Sequence, residues 1–251
     1  MIGMNRETSF CIRLADVGIR IEPMFGYIKE YCRDYLTEEE AMFAVRTEPE
    51  DIAFERERST REAEREGRAE AVYSDAYLET LAVYRKIAAQ MLDYGTLLFH
   101  GSVIAVDGVG YLFAAKSGTG KSTHTRLWRE RFGDRAVMVN DDKPLLKITD
   151  SGVIAYGTPW DGKHRLSTNM AVPLKAICVL TRSEENRIGE IQPKDAYQML
   201  LQQTYRPADG AAMLQTMKLI DGMMENTRFY RLGCNMSPEA AEVAFDGMTK
   251  E

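Results

Sequence analysis

The stretch Tyr111-Leu112-Phe113-Ala114-Ala115-Lys116-Ser117-Gly118-Thr119-Gly120-Lys121-Ser122 decides the fold. Its opening apolar run suits a buried strand, and Thr123-His124-Thr125-Arg126-Leu127-Trp128 beyond it can continue as a helix. Between strand and helix the residues read as a Walker A phosphate loop with Ala115 in the first glycine position. Gly118 and Gly120 allow backbone amides to approach phosphate oxygens, and the new helix presents free N–H groups and the positive end of its dipole. Lys121 is placed to reach the β- and γ-phosphates and Ser122 to ligate Mg²⁺, with Ser117, Thr119 and Thr123 completing the nucleotide-binding candidates. ATP and Mg²⁺ are the expected cofactors.

Upstream, Val103-Ile104-Ala105-Val106 and the Tyr111 run flank Asp107-Gly108, a strong signal for paired strands over 101–115. If 101–106 pairs with 109–114, Gly101 lies opposite Ala114, and His100 ends beside Ala115 at the mouth of the loop. There an imidazole can orient a phosphate or tune a neighbouring acid. In isolation a lone histidine at a strand end is more often a satisfied core residue; the hairpin register is what points His100 to the site. His124 and His164 have weaker cases.

Downstream, Ala136-Val137-Met138-Val139 delivers Asn140-Asp141-Asp142-Lys143 to a strand end, the Walker B arrangement. Successive strand residues face opposite sides, so one of Asp141 and Asp142 can hold Mg²⁺ while the other faces an acceptor hydroxyl. The competing reading is a polar turn before Pro144. His100, Lys121, Asp141 and Asp142 are the catalytic candidates, and Ser122, Asp141 and Asp142 the metal candidates.

Composition bounds the rest. The chain has 251 residues, 45% hydrophobic and 28% charged, with a formal charge of −6. This excludes disorder, collagen and disulfide scaffolds, and argues against a nucleic-acid partner. Cys11, Cys32, Cys178 and Cys234 form no C-x-x-C pair and read as buried reduced thiols. The N-terminus builds no signal-peptide core and no run reaches membrane-spanning length, so a cytoplasmic protein with no membrane partner is expected.

Before the loop, Phe10, Ile12 and Leu14, then Ile19 and Ile21, alternate with other residues about Asp16-Val17-Gly18, predicting two short strands. Residues 48–70 carry nine acids and five arginines, with Glu57/Arg61 and Glu64/Arg68 at helical spacing, a solvated helical face or connector. Ser74-Asp75 caps a helix whose apolar stripe is Tyr77, Leu81, Tyr84, Ala88 and Met91. Beyond the loop, Ala176–Leu180 reads as a strand, and Ala196–Leu201, Met213–Met224 and Pro238–Met248 as helices. The expected division is an N-terminal α+β region, 1–95, and an ATP-binding catalytic domain, 96–251.

The His100-Gly101-Ser102-Val103 segment, the hairpin, Ser117 to Ser122 and the Asp141-Asp142 pair together resemble the catalytic domain of HPr kinase/phosphorylase. That family shares a fold with the ATP-dependent phosphoenolpyruvate carboxykinases, so the resemblance implies an α/β fold with a P-loop-containing mixed β-sheet core. It covers roughly 96–182 and implies catalytic roles for His100, Lys121 and one Asp as base toward a serine hydroxyl, with Ser122 on Mg²⁺. Thr123 stands where the bifunctional enzymes typically have glutamate, and Gly157-Thr158-Pro159-Trp160-Asp161-Gly162-Lys163 looks more like the divergent HPr-kinase-like proteins. These include kinases that phosphorylate the C-terminal serine of ribosomally made peptides.

Read physically, Lys163 and Arg165 after that turn-rich block, and Arg206 further on, are candidate phosphate or acceptor contacts. Trp160 is either a wall of the pocket or a core residue. The expectation is an ATP- and Mg²⁺-dependent kinase acting on a serine or threonine of a protein or peptide. A small-molecule hydroxyl acceptor and a non-catalytic ATP-sensing module are the alternatives, and a homo-oligomer is left open.

Overall fold

The computed structural model describes residues 7–67, 69, 71–116, 118–162 and 164–250. The chain divides into two compact units between Gln90 and Met91.

In the first unit, β1 (Phe10–Leu14) pairs antiparallel with β2 (Val17–Glu22), bringing Ile12 opposite Ile19. The turn is Ala15-Asp16, both left-handed, slightly ahead of the stretch the alternation marks. After the short helix α1 (Tyr27–Tyr31), β3 (Phe43–Arg46) adds parallel to β2. Helix α2 (Pro49–Glu66) starts on a capping box between Glu48 and Asp51 with Pro49 in its first turn. Arg58 pairs with Glu62 at 3.0 Å and Arg61 with Glu57 at 4.0 Å on its exposed face, whereas Glu55 is buried and accepts from Arg85 at 2.6 Å. The Glu64–Arg68 pair lies outside the described residues. Helix α3 (Asp75–Met91) buries Leu78, Ala82, Val83 and Ile87 as well as Tyr84, Ala88 and Met91, a wider stripe than the sequence pattern marks. Its fully buried Glu79 is satisfied by the amides of Met24 and Phe25 and the Thr47 hydroxyl.

The second unit is a mixed α/β structure on a curled mixed sheet of nine strands among the described residues. Three strands lead to the site: β4 (Thr96–Leu98), β5 (Ser102–Val106) and β6 (Val109–Ala114). Strands β5 and β6 pair antiparallel around Asp107-Gly108, with Ser102 opposite Phe113. Helix α4 (Lys121–Phe132) follows, then β7 (Ala136–Asn140) on the other edge of β5. A meander, β8 (Leu145–Thr149) and β9 (Gly152–Tyr156), passes into the long β10 (Ala171–Arg182). Strand β10 pairs antiparallel with β9 through 171–173, and further along it pairs parallel with β6. The remaining elements are β11 (Arg187–Glu190), α5 (Pro193–Gln203), α6 (Gly210–Glu225), β12 (Arg228–Cys234) and α7 (Glu239–Thr249). Strand β12 lies parallel to β10.

The central strands are covered on both faces, which is why they read as continuous apolar runs. Alternate residues divide between two cores. Val103, Ala105, Leu112, Ala114 and Ile177 pack with Leu200 of α5 and Ile220 and Met223 of α6. Ile104, Val106, Tyr111, Phe113 and Cys178 pack with Leu127 and Trp128 of α4 and Ala240, Ala241 and Ala244 of α7. All four cysteines are free thiols, but only Cys32 and Cys178 are buried. Cys11 is half-buried because it alternates out of phase with Ile12 and Leu14, and Cys234 because it ends β12. Among the described residues no helix is long and apolar enough to cross a membrane.

Candidate functional site

The segment between β6 and α4 is short, and two left-handed glycines set its path, Gly118 at φ 73° and Gly120 at φ 119°. A side chain at either would be strained, so these positions suit glycine. The Gly120 carbonyl takes the first helical hydrogen bond, from the His124 amide at 2.9 Å, so α4 begins at Lys121. Arg182, at the end of β10, donates to the Gly118 carbonyl at 2.6 Å and ties this segment to the sheet. Ser117, a nucleotide-binding candidate, lies outside the described residues, as does Lys163.

Lys121 is half-buried at the start of α4. Burial pulls its ammonium below the ordinary lysine range, and the charge of Asp142 opposes that pull. Ser122 and Thr123 line a cavity of about 480 Å³ together with Thr125, Arg126, Arg129, Asp141, His164 and Leu166.

The Asp141-Asp142 pair lies just past β7 rather than within it, so strand alternation does not separate the two carboxylates. Asn140 does. This residue is fully buried, and its Oδ1 accepts from the amides of Asp142 at 2.9 Å and Lys143 at 2.7 Å, folding the chain into a tight turn. Its Nδ2 donates to the carbonyl and hydroxyl of Thr158 at 3.1 and 3.0 Å, so one amide group fastens the acidic turn to the 158–162 loop. The Thr158 hydroxyl donates to the Lys143 carbonyl at 2.9 Å and closes the clasp.

The two acids then meet different surroundings. Asp141 Oδ1 accepts from the Gly162 amide, and a Cβ on Gly162 would come within 2.7 Å of Asp141 Oδ2. Burial raises the Asp141 carboxyl above the usual carboxylate range; the charges of Asp161 and Asp142 add to this and the Gly162 bond opposes it. For Asp142, burial also works upward. The hydrogen bond from His100 and the charges of Lys143, His100 and Lys121 outweigh it and hold the carboxyl below the usual range. His100 Nε2 stands 3.2 Å from Asp142 Oδ1. His100 is itself held by its backbone, its amide donating to the Gln203 carbonyl at 2.7 Å, while Gly101 donates to the Asp142 carbonyl at 3.0 Å.

The structure therefore brings His100, Lys121 and Asp142 into one group, and Ser122, Thr123 and Asp141 into the wall of the neighbouring cavity. Trp160 is not a wall of this cavity. It is 2% exposed, buried with the loop that Asn140 anchors, and its carbonyl accepts from Asn140 Nδ2 at 3.5 Å. Arg165 pairs with Asp161 at 3.2 Å, and Arg206 is exposed three residues beyond the carbonyl that holds His100. His124 is a core residue: it accepts from Trp128 Nε1 at 3.0 Å and packs against Phe113. Four residues of the site are not marked by motif. Asn140 carries a faint signal, directly preceding two acids. Thr158, Arg129 and Arg182 carry none, because their roles come from contacts or lining across the fold.

Among curated proteins none matches this chain. Among solved structures, the HPr(Ser) kinase/phosphatase from Coxiella burnetii overlays with a TM-score of 0.34 at 10% identity, over 59% of this chain and 94% of that one. A family model described as SynChlorMet cassette protein ScmC matches residues 74–228, more than half of the sequence. By that match the chain, with all of the clustered residues above inside the matched span, belongs to the ScmC family.

Proposed function

We propose that the chain is an ATP- and Mg²⁺-dependent kinase that transfers the γ-phosphoryl group to a hydroxyl, a serine or threonine of a protein or peptide. One observation carries the reading. The first turn of a helix that follows two left-handed glycines, with a lysine and a serine in it, lies beside two adjacent carboxylates held in unlike states.

In this reading the amides entering α4 and the Lys121 ammonium hold the β- and γ-phosphates. The Ser122 hydroxyl and the Asp142 carboxylate would offer oxygen donors to Mg²⁺. Mg²⁺ binds through one or two carboxylates plus substrate phosphates. Mg²⁺ supplies neutralisation of charge on those phosphates when bound.

Asp142, kept ionised by His100, Lys143 and Lys121, stays anionic and keeps Lys121 oriented. Asp141, raised by burial and facing the cavity, is the base. It takes the hydroxyl proton as the acceptor oxygen bonds to the γ-phosphorus and the bond to the bridging oxygen of ADP breaks. The acceptor leaves as the phosphate monoester.

The test is incubation of the protein with γ-labelled ATP, Mg²⁺ and lysate of its host. A labelled acceptor in wild type, lost with Asp141→Asn, is the expected result. Label that persists in both Asp141→Asn and Asp142→Asn overturns the mechanism, and ATP binding without any labelled acceptor overturns the kinase reading.

A further inference from the structure

The cavity beside Ser122 runs along α4, whose residues 122, 125, 126 and 129 are spaced to share one face of a helix. Two arginines stand on it and differ in one respect. Arg126 pairs with Glu130 at 2.6 Å, and further along Arg131 pairs with Glu242 and Arg135 with Asp107. Arg129 has no carboxylate partner among the described residues, and its Nε is shut off from solvent with no hydrogen bond. A half-buried guanidinium left without an anion, in a chain with more acids than bases, marks a place where the anion comes from outside.

We propose that Arg129, with Arg126 and His164 beside it, is a subsite for a carboxylate of the acceptor, so that the phosphorylated hydroxyl lies in an acidic peptide. This rests on the kinase reading above and names its substrate class. Geometry separates the carboxylate from the nucleotide. Ser122 and Arg129 are seven residues apart, about 10 Å of helix at 1.5 Å per residue, so phosphates held by the amides at the helix start end well short of Arg129. Helical side chains lean back toward the N-terminus, which brings the guanidinium nearer to the Asp141 end of the cavity. An extended peptide advances roughly 3.3 Å per residue, so the acid falls two to three residues from the hydroxyl. Arginine suits the role because its planar fork grips a carboxylate through two parallel hydrogen bonds. Asp141 is the one carboxylate among the described residues lining the cavity, and it follows β7, which β5 joins to β6, the strand leading into α4, at the end of the site where the hydroxyl is received.

The test has a binding arm and a transfer arm, both on the full chain. In the first, the ¹⁵N–¹H signal of the shielded Arg129 Nε, identified by its loss in Arg129→Lys, is followed with Mg·ADP alone. The tripeptide acetyl-Ser-Gly-Asp-amide and its asparagine counterpart are then added in turn. The signal should stay put with Mg·ADP, move saturably with the aspartate peptide and ignore the asparagine one. Movement with Mg·ADP alone would assign Arg129 to the nucleotide, and equal or no response to the two peptides would remove the carboxylate subsite; either overturns the proposal.

In the second arm, γ-labelled ATP should phosphorylate the aspartate peptide at least tenfold better in kcat/KM than the asparagine one, through KM. Arg129→Gln should bring that preference to within threefold, with Arg129→Lys intermediate. A preference that survives Arg129→Gln overturns the proposal. If neither peptide is labelled while ATP binds, the kinase reading fails on these acceptors and the binding arm still decides Arg129 by itself.

Discussion

His100 Nε2 lies 3.2 Å from Asp142 Oδ1, while the adjacent Asp141 turns away to the Gly162 amide. The pair is thus split into an acid held ionised by a histidine and a lysine, and an acid whose proton is held more tightly by burial. Two neighbouring carboxylates with divergent affinities for a proton are the arrangement that assigns different chemical roles to identical side chains. The division gives His100 an indirect part: His100→Ala should reduce kcat about tenfold by loosening Asp142, whereas Asp141→Asn should reduce it by about three orders of magnitude or more. Transfer from labelled ATP, with nucleotide affinity measured in parallel, separates the two, since neither change should weaken ATP binding more than severalfold.

Gly162 supports the Asp141 carboxylate, the base of the proposed mechanism. Gly162→Ala places a methyl within 2.7 Å of Asp141 Oδ2, and the carboxylate must move because the loop backbone is tied to Asn140 through Thr158. The expected result is a fall in kcat of about a hundredfold, as for a misplacement of about 1 Å, with little change in thermal midpoint. A variant as active as wild type would show that Asp141 needs no fixed position.

Asn140 is the structural clasp. Asn140→Ala leaves the Thr158 carbonyl and the amides of Asp142 and Lys143 without their partner, and should cost about 2–4 kcal/mol in urea unfolding. Asn140→Asp keeps the acceptor but loses the donor to Thr158 and adds charge beside Asp141, so it should be no better than the alanine variant.

His124 makes stability depend on pH. Burial lowers its pKa from 6.5 to about 4, and it receives a hydrogen bond from Trp128 at the nitrogen that must stay unprotonated. Below pH 6.5 the unfolded chain binds a proton that the folded chain refuses until about pH 4. Stability is therefore fully present above pH 6.5 and is lost as the pH falls toward 4, by about 2 kcal/mol at pH 5 from this one group. Urea unfolding at pH 7.5 and pH 5 should show the loss in wild type and a correspondingly smaller one in His124→Gln.

Arg182 holds the loop from outside it. Removing the 2.6 Å bond to the Gly118 carbonyl by Arg182→Ala should weaken ATP binding by about tenfold through a looser loop, with Arg182→Lys recovering part of it. Unchanged affinity in the alanine variant would make the contact incidental.

Much of this site is legible in the residues themselves, and the reason is local. The Asp107-Gly108 turn between two apolar runs dictates a hairpin, and its register alone carries His100 toward the start of α4. The glycines at 118 and 120 and the helix that follows are settled within a dozen residues. Where sequence logic misdirects, it does so by extending a local rule too far. Asp141 and Asp142 do part company, but through the side chain of Asn140 and not through strand alternation, because β7 ends before them. For Trp160, which the sequence leaves open between pocket wall and core, burial with its loop decides for the core. Strands β11 and β12 leave weak patterns because each draws its partner from elsewhere in the chain.

The sequence by itself determined the glycine turn that leads into α4, the hairpin before it, the acids after it and the helices with clear apolar stripes, since these depend on spacings of a few residues and on backbone preferences at glycine. Only the tertiary structure decided which acid meets His100 and which meets Gly162, that Arg182 reaches Gly118 across 64 residues, and that Arg129 stands without a counter-ion among the described residues. Those are properties of long-range packing. Burial, hydrogen bonds and neighbouring charge set a side chain's protonation and partners, and none of the three is written in the residue's own neighbourhood of the chain.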